Sequence, residues 1–303
     1  MRLKNHGAFN SESRIARETV LRPEEETTAY LTIKELSKTY RSLFNHRQEE
    51  HLEILDKISL TVKKGEFVTI FGPNGCGKTT FLKIIAGLEG YQRGRIEVDG
   101  KPPDRIKIGY IFQNYRDSLF PWRTNLSNLT IPLELEGMGK REKYKRAREF
   151  LKKLALNISE DSYPYQLSGG QQQLLSIIRA LIYEPDVLLM DEPFSSLDFQ
   201  TTLFMHDKLL DIWRKTGTTI IFVSHDINEA IYLADRVVLF SKRPARIIAV
   251  METNLPRPRS IEIRETGKFF TLRNRILDLF KEEITDNLIF SREISTHIQK
   301  GIL

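Results

Sequence analysis

Short runs of apolar residues recur along this chain and alternate with amphipathic segments. Phe67–Phe71, Asp186–Met190 and Thr218–Val223 are close to continuous in apolar residues, which predicts strands that are buried on both faces. Lys140–Leu156 instead places apolar side chains at helical spacing among many charged residues, the pattern of an amphipathic helix. Buried strands that alternate with helices predict an α/β fold with a mostly parallel sheet.

The pattern also divides the chain into parts. Residues 1–28 are rich in Arg, Glu, Ser and Thr and lack apolar periodicity, so we expect a flexible leader there. The main domain is expected over residues 29–260, with a helical subdomain at about residues 114–173. A further helical pattern at Phe269–Phe280 predicts a C-terminal helical extension over residues 261–303.

The beginning of the main domain has an alternating pattern. Tyr30–Ile33 and Ile58–Val62 have the length and composition of strands. The segment between them, Arg41–Leu52, is polar, and we expect it to form a loop before the second strand.

Composition narrows the cellular setting. The 46 Lys and Arg residues against 40 Asp and Glu residues give a formal charge of +6, an excess that nucleic acid, an anionic membrane surface or a polyphosphate ligand can each use. The basic residues are spread along the chain, which favours a solvated surface. The single cysteine, Cys76, excludes an intramolecular disulfide and fits a reducing compartment. Apolar runs fall far short of the roughly 20 residues of a membrane span, so a cytoplasmic location is expected.

A phosphate-binding P-loop follows the first buried strand. Eight consecutive residues have the spacing of this motif: Gly72, Pro73, Asn74, Gly75, Cys76, Gly77, Lys78 and Thr79. Thr80 continues into a helical pattern, so backbone N–H groups and a helix N-terminus are expected to face the phosphates. Lys78 is expected to contact the outer phosphates, and the Thr79 hydroxyl to bind Mg²⁺. A small-molecule kinase or a GTPase would fit this motif equally well.

A second chemical element lies at the end of a later strand. The apolar run Val187–Met190 is followed by Asp191 and Glu192, and α/β sheets bind ligands at the carboxyl ends of their strands. We expect Asp191 to hold Mg²⁺, directly or through water, and Glu192 to polarise the attacking water as general base. Together with the P-loop, these carboxylates predict nucleotide hydrolysis.

The deciding motif lies between these two elements. It is a helix start with a Ser cap and two glycines, formed by Leu167, Ser168, Gly169, Gly170 and Gln171. Exposed N–H groups, a helix dipole and a hydroxyl suit it to binding a γ-phosphate. This signature makes the chain resemble the ABC ATPase family over about residues 30–260. The resemblance implies a P-loop core, an antiparallel β subdomain, a helical signature subdomain, and ATP with Mg²⁺ as cofactors.

The resemblance also assigns roles to single residues. Tyr40 corresponds to the aromatic residue that stacks on adenine, and Gln113 to the glutamine that contacts the metal and the attacking water. His225 corresponds to the switch histidine at the γ-phosphate, and Asp198 lies in the D-loop that meets the opposite subunit. The implied assembly is a head-to-tail dimer with a second copy of the chain. Each ATP would then lie between one P-loop and the other signature.

Further segments resemble one branch of the family. Leu119–Thr124, Lys242–Ile247 and Leu255–Arg259 are similar to parts of importers for nitrate, taurine and alkyl sulfonates. This implies separate transmembrane permease subunits, an indirect link to a solute-binding protein, and a peripheral position on the inner face of the membrane. Trp122 fits either a permease contact or a packing role.

Two alternatives remain open. One is an importer motor for another small organic nutrient. The other is a soluble ABC ATPase acting on nucleic acid or ribosomes. A DNA-repair member would require a long coiled-coil insertion, a ribosomal member two cassettes, and an exporter half a fused membrane domain. The chain has one P-loop and one signature, so no nucleic-acid partner is expected.

Overall fold

The computed structural model describes residues 29–44, 48–114 and 118–281. The leader predicted over residues 1–28 lies outside the described residues, as does the extension beyond residue 281. The division of the chain at residues 28 and 260 stays a prediction.

Strands and helices alternate along the described chain. The strands are β1 (Ala29–Phe44), β2 (Gln48–Lys63), β3 (Phe67–Phe71), β4 (Arg93–Val98), β5 (Ile108–Ile111), β6 (Val187–Asp191), β7 (Thr219–Ser224), β8 (Arg236–Phe240) and β9 (Ile247–Glu252). The helices are α1 (Lys78–Ile85), α2 (Asn125–Leu129), α3 (Ile131–Leu135), α4 (Lys140–Leu154), α5 (Gly169–Leu181), α6 (Phe199–Thr216), α7 (Ile227–Leu233) and α8 (267–281). Short 3₁₀ segments include Pro164–Gln166 and Ile261–Glu265.

The central sheet has six strands in the order β5-β6-β7-β3-β8-β9. All neighbouring pairs are parallel except β8 with β9, which is antiparallel. The register pairs Asp191 with Val223 and Phe71 with Ser224. The carboxyl ends of β3, β6 and β7 therefore meet at one edge, where the ligands of such sheets bind. The predicted α/β fold is confirmed.

The near-continuous apolar runs are explained by the layers on either side of this sheet. Along β6, Leu188 and Met190 join the cluster formed with helices α2 to α7, whereas Val187 and Leu189 join the cluster formed with α1 and the strands β1, β2 and β4. Because successive side chains of a strand point to opposite faces, a strand covered on both faces needs apolar residues throughout.

The second sheet has three antiparallel strands in the order β2-β1-β4. The loop predicted at Arg41–Leu52 is wrong, because these residues continue the two strands as far as described, with Arg41 opposite His51. Both of these side chains are exposed. A ribbon in water satisfies its backbone by cross-strand hydrogen bonds and needs no apolar face, so a polar sequence does not distinguish it from a loop.

Helix α8 returns to the body of the protein. The helix predicted at Phe269–Phe280 is present and spans 267–281. Phe269 and Ile276 are buried, and the Phe280 ring lies 5.0 Å from the ring of Phe71. Phe71 directly precedes the P-loop, so α8 packs beside the strand that leads into the candidate site.

Candidate functional site

The P-loop connects β3 to α1. Gly75 and Gly77 have φ angles of 74° and 120°, a region that residues with a Cβ rarely adopt. A Cβ on Gly77 would also lie 2.8 Å from Cγ2 of Ile54. The loop thus needs glycine for its conformation and for its close contact with strand β2. Its curvature brings the N-terminus of α1 to the edge of the central sheet.

Lys78 is the first residue of α1, and its side chain turns back into the loop. Its ammonium donates to the carbonyl oxygens of Gly72 (2.8 Å) and Pro73 (3.0 Å), and it is 3.9 Å from Oε1 of Glu192. The side chain is 5% exposed, so its charge acts where water screens it weakly. A cation in this position suits the outer phosphates of a nucleotide.

Thr79 and Asp191 are brought together from distant parts of the chain. The Thr79 hydroxyl donates to Oδ1 of Asp191 (3.2 Å), and the Tyr110 hydroxyl donates to Oδ2 (3.5 Å). Asp191 is buried, and this burial raises the pKa of its carboxyl. Hydroxyl and carboxylate oxygens are the ligand types that Mg²⁺ prefers, so this pair fits the metal. Thr79 and Asp191 would be the residues that hold it.

Glu192 and His225 form the next pair. Oε2 of Glu192 is 2.8 Å from Nδ1 of His225, and the Glu192 N–H donates to the carbonyl of Val223 (3.1 Å). Glu192 has a φ of 44°, a conformation that is unfavourable for a residue with a Cβ and is concentrated at functional sites. The imidazole is half exposed, so a ligand can reach it.

The signature residues start helix α5. The Ser168 hydroxyl accepts from the Gln171 N–H (3.3 Å), and the Gln171 amide oxygen accepts from the Ser168 N–H (2.9 Å). This reciprocal capping box satisfies two N–H groups of the helix start. Gly169 lies between them at the first helical position. The Ser168 and Gln171 side chains are exposed.

Gly170 and Asp198 link the signature to helix α6. A Cβ on Gly170 would lie 2.6 Å from Cγ2 of Thr201. Asp198 caps α6 by accepting from the N–H (3.0 Å) and hydroxyl (2.6 Å) of Thr201, and these hydrogen bonds hold the pKa of Asp198 below its usual range. In the described part of the chain, the hydrogen bonds of Ser168, Gln171 and Asp198 stay within these two helix starts and do not reach the P-loop.

The remaining predicted residues lie on several elements. Gln113 is exposed and follows β5, whose Ile111 pairs with Met190 next to Asp191. Tyr40 is half-buried in β1, with the Lys38 ammonium 4.5 Å from its ring centre. Cys76 is buried, and its burial raises the pKa of its thiol, which fits a packing role. Asn74 is exposed on the loop, and Thr80 lies in the first turn of α1.

Two residues at the site were not predicted from the sequence. Tyr110 contacts Asp191 from β5, and the Arg243 guanidinium donates to the carbonyl of Gly75 in the P-loop (2.7 Å). Tyr110 lies inside an ordinary strand pattern, and Arg243 is 168 positions from its partner. Only the order of strands in the sheet brings them to the site.

Comparison with known proteins defines the family. The ABC transporter family matches residues 55–195. An uncharacterised ABC transporter ATP-binding protein of Methanocaldococcus jannaschii is 43% identical over 263 residues, which are 85% of this chain and 94% of that protein. The chain belongs to the ABC transporter family. As a member of this family it is an ATP-binding subunit and hydrolyses ATP.

Relatives with assigned roles indicate the branch. Aliphatic sulfonates import ATP-binding proteins of Bacillus cereus and Bacillus subtilis are 43% and 42% identical, covering 79% and 76% of this chain and 93% and 88% of those proteins. The predicted resemblance to the nitrate, sulfonate and taurine branch is confirmed. Within the residues that the structure describes, no helix has the length and apolar character of a membrane span.

Solved structures share the architecture. A dimeric ATP-binding cassette in a post-hydrolysis state, bound to ADP and phosphate, is 32% identical with a TM-score of 0.61 and covers 73% of this chain and 98% of its own. A second dimeric ABC transporter cassette is 34% identical with a TM-score of 0.62. The fold is therefore that of an ABC ATPase cassette.

Proposed function

We propose that this chain is the ATP-hydrolysing subunit of an importer for a small anion of the sulfonate, taurine or nitrate type. The observation that carries this proposal is its 41–43% identity to aliphatic sulfonates import ATP-binding proteins. An importer for another organic nutrient, or a soluble ATPase acting on nucleic acid or ribosomes, is the alternative to be tested.

The nucleotide would bind at the P-loop edge of the central sheet. The loop N–H groups and the N-terminus of α1 would surround the phosphates, and Lys78 would leave its loop carbonyls for the outer phosphates. Tyr40 would stack on adenine. Thr79, Asp191 and Gln113 would hold Mg²⁺, which neutralises phosphate charge when bound.

Glu192 and His225 would act on the attacking water and the γ-phosphate. The Glu192 carboxylate is the acceptor for the water proton, and His225 would hold that carboxylate and contact the γ-phosphate. The 2.8 Å contact between them supports a coupled role, because a general base must be held in one orientation. Gln113, at the same sheet edge, would contact the water.

The signature would complete the site of a second copy. Ser168, Gly169, Gly170 and Gln171 present a capped helix N-terminus to solvent, and Asp198 starts the neighbouring helix. Solved cassettes with this fold are dimeric, which supports a pair of copies. In the proposed head-to-tail pair, ATP joins the P-loop of one subunit to the signature of the other. A ligand that binds only the closed pair stabilises it by mass action.

Mixing two inactive variants tests this arrangement. Ser168→Arg damages the signature, and Glu192→Gln damages the catalytic carboxylate. A mixed head-to-tail dimer carries both lesions in one site and leaves the other site intact, so the mixture should recover about half of the wild-type ATPase rate per mixed dimer if the two sites act independently. A mixture with no more activity than its components, despite forming mixed dimers, would contradict a shared site.

The proposed permease contact lies around Trp122. This side chain is 71% exposed, and its ring is 5.2 Å from that of Phe120. The buried Asn128 amide accepts from the Phe120 N–H (2.9 Å) and donates to the carbonyls of Phe120 and Arg123 (both 3.0 Å). The loop is therefore held rigidly while it presents an aromatic residue to solvent, which suits a protein interface.

Purification from native membranes tests both the partner and the cargo. We expect the Glu192→Gln variant to retain a multi-spanning permease in detergent, and Trp122→Ala to lose it while keeping its own ATPase rate. Leu135→Ala, at another strongly exposed apolar position, is the matched control. The recovered wild-type complex, supplied with its solute-binding protein, should then take up an alkanesulfonate, taurine or nitrate in proteoliposomes with ATP. Uptake of none of these anions would contradict the cargo, and recovery of ribosomes or DNA would contradict the importer.

A further inference from the structure

A chain of polar side chains, most of them buried, lies behind the turn that carries His225. It begins at Arg264 in the 3₁₀ segment Ile261–Glu265, passes through His206 on α6 and Glu229 on α7, and ends at Ser224, the last residue of β7. His206, Glu229 and Ser224 are 2%, 8% and 0% exposed. Polar groups at this depth are costly unless each is paired.

Each hydrogen bond in this chain has a defined direction. Nη2 of Arg264 is 2.9 Å from Nδ1 of His206, and a guanidinium can only donate. Nδ1 is therefore the acceptor, and Nε2 carries the proton that it donates to Oε1 of Glu229 (2.8 Å). The hydroxyl of Ser224 donates to the other carboxylate oxygen, Oε2. Both oxygens of Glu229 are thus paired. One pairs with His206, which leads to Arg264 in the C-terminal segment (residues 253–281), and the other pairs with Ser224 on β7.

Ser224 connects this network of side chains to the backbone around His225. Its hydroxyl oxygen accepts from the N–H of Asp226 (2.9 Å), so it bridges the two residues on either side of His225. The Asp226 carboxylate in turn accepts from the N–H of Asn228 (2.7 Å) and caps helix α7. The turn is short and closed by this hydrogen bond, so its backbone fixes the position from which the His225 side chain extends. At the outer end of that imidazole, Nδ1 meets Glu192 at 2.8 Å.

Arg264 is held on its other side by an aromatic ring. The centre of its guanidinium lies 4.3 Å from the ring centre of Tyr232, a favourable cation–π distance. The Tyr232 hydroxyl donates to Oδ1 of Asp207 (2.6 Å) on α6. The guanidinium is therefore constrained from two sides, and a shift of the C-terminal segment has to move the partner of His206.

We propose that Glu229 and His206 are positioning residues for His225, and that Arg264 connects the C-terminal segment to ATP turnover through them. The proposal rests on the proposed role of His225 in hydrolysis. None of these three residues is placed to contact the nucleotide. They act by holding one arrangement of the 224–226 turn, which directional hydrogen bonds between buried groups do more strictly than apolar packing.

Two conservative variants break the network at different depths. Glu229→Gln keeps the shape but replaces one acceptor by a donor, so either His206 loses its acceptor or the Ser224 hydroxyl has to turn from residue 229 to the carbonyl of Asp226 (3.1 Å). Arg264→Met keeps a long side chain beside the Tyr232 ring but removes the guanidinium that donates to His206. We expect the kcat of ATP hydrolysis to fall roughly tenfold in Glu229→Gln and about threefold in Arg264→Met. The Kd for ATP should stay unchanged, because the P-loop is untouched. Arg264→Lys retains a donor and should recover part of the loss.

A matched arginine supplies the control. Arg257 also lies in the segment after β9, stacks on an aromatic ring (Trp213, 4.1 Å) and pairs with Asp235 (2.7 Å), but it has no link to Ser224. Arg257→Met should lower the free energy of unfolding as Arg264→Met does, while its kcat per folded molecule stays at the wild-type value. Equal losses of kcat in both variants would mean that the segment acts only through general stability.

The His225→Ala background separates the two proposals. If His225→Ala leaves kcat unchanged, the role proposed for His225 itself is overturned. If His225→Ala is slow, Glu229→Gln and Arg264→Met should have no further effect in that background, because coupled residues are non-additive. Wild-type kcat in both single variants, or full additivity with His225→Ala, overturns the positioning role. Should Glu229→Gln fail to fold, the peripheral Arg264→Met still decides between these outcomes.

Discussion

The P-loop region and the signature region belong to the same chain but differ in how they are held. Lys78, Thr79, Asp191, Glu192 and His225 contact one another across three strands of the central sheet. The signature instead closes on itself through its capping box and leaves its polar groups in solvent. The first region can organise chemistry within one chain. The second offers a preformed helix N-terminus to something outside it, which is why we propose that it acts in a second copy.

The largest expected effect is a loss of kcat from a change in the P-loop region. Glu192→Gln keeps the shape of the side chain and its contact with His225 but removes the carboxylate that accepts a proton. We expect kcat to fall by about 10²–10⁴-fold, the range for losing a general base, with ATP binding retained and the ATP-bound dimer stabilised. Phosphate release, nucleotide binding and light scattering measure these quantities. Glu184→Gln, at an exposed position, serves as control, and wild-type turnover in Glu192→Gln would exclude the role of base.

A smaller effect is expected for Gly170→Ala, which tests whether the signature depends on its close packing against α6. In Gly170→Ala the new Cβ meets Cγ2 of Thr201 at 2.6 Å, and Thr201 cannot move freely because it is bonded to Asp198. We expect a loss of about 1–3 kcal/mol of unfolding free energy, as for other overpacked sites, together with reduced ATPase activity at unchanged ATP affinity.

The same site allows a rescue. Thr201→Ser removes Cγ2 and keeps the hydroxyl that binds Asp198, so the double variant with Gly170→Ala should regain most of the lost stability and activity. Gly267→Ala adds a Cβ that meets nothing within 4 Å and should leave both unchanged. If Thr201→Ser restores nothing, the steric explanation is wrong.

The smallest expected effect is a change in the free energy of unfolding. It has opposite signs for Asp191 in the P-loop region and Asp198 beside the signature. Burial raises the pKa of Asp191, so the fold favours its protonated form. That contribution is present below the unfolded-state pKa and is lost as the pH rises through the folded-state value. At pH 7 without nucleotide or metal, Asp191→Asn should therefore increase the unfolding free energy by about 1 kcal/mol, a common gain from relieving a functional site.

Asp198 supplies the matched comparison. Its pKa is lowered by hydrogen bonds from Thr201, so its contribution is present above the unfolded-state pKa and is lost as the pH falls through the folded-state value. Asp198→Asn should decrease stability at pH 7, and both differences should shrink toward pH 3. Urea unfolding at the two pH values measures them. A loss of stability in Asp191→Asn at pH 7 would contradict the burial argument.

The sequence alone predicted the α/β fold, the P-loop, the acidic strand end and the family. It did so because buried strands need unbroken apolar runs and because phosphate binding needs glycines, a lysine and a hydroxyl at set spacing in one short segment. The long β1–β2 ribbon was missed, since a solvated ribbon and a loop share the same polar composition.

The tertiary structure decided what no local pattern encodes. Tyr110 and Arg243 reach the site only through the order of the strands, and the path from Arg264 to His225 joins residues on four separate elements. The hydrogen bonds in this path depend on distance and direction between segments that are far apart in the chain. Those relations arise only when the layers pack, and they determine how the C-terminal segment meets the catalytic turn.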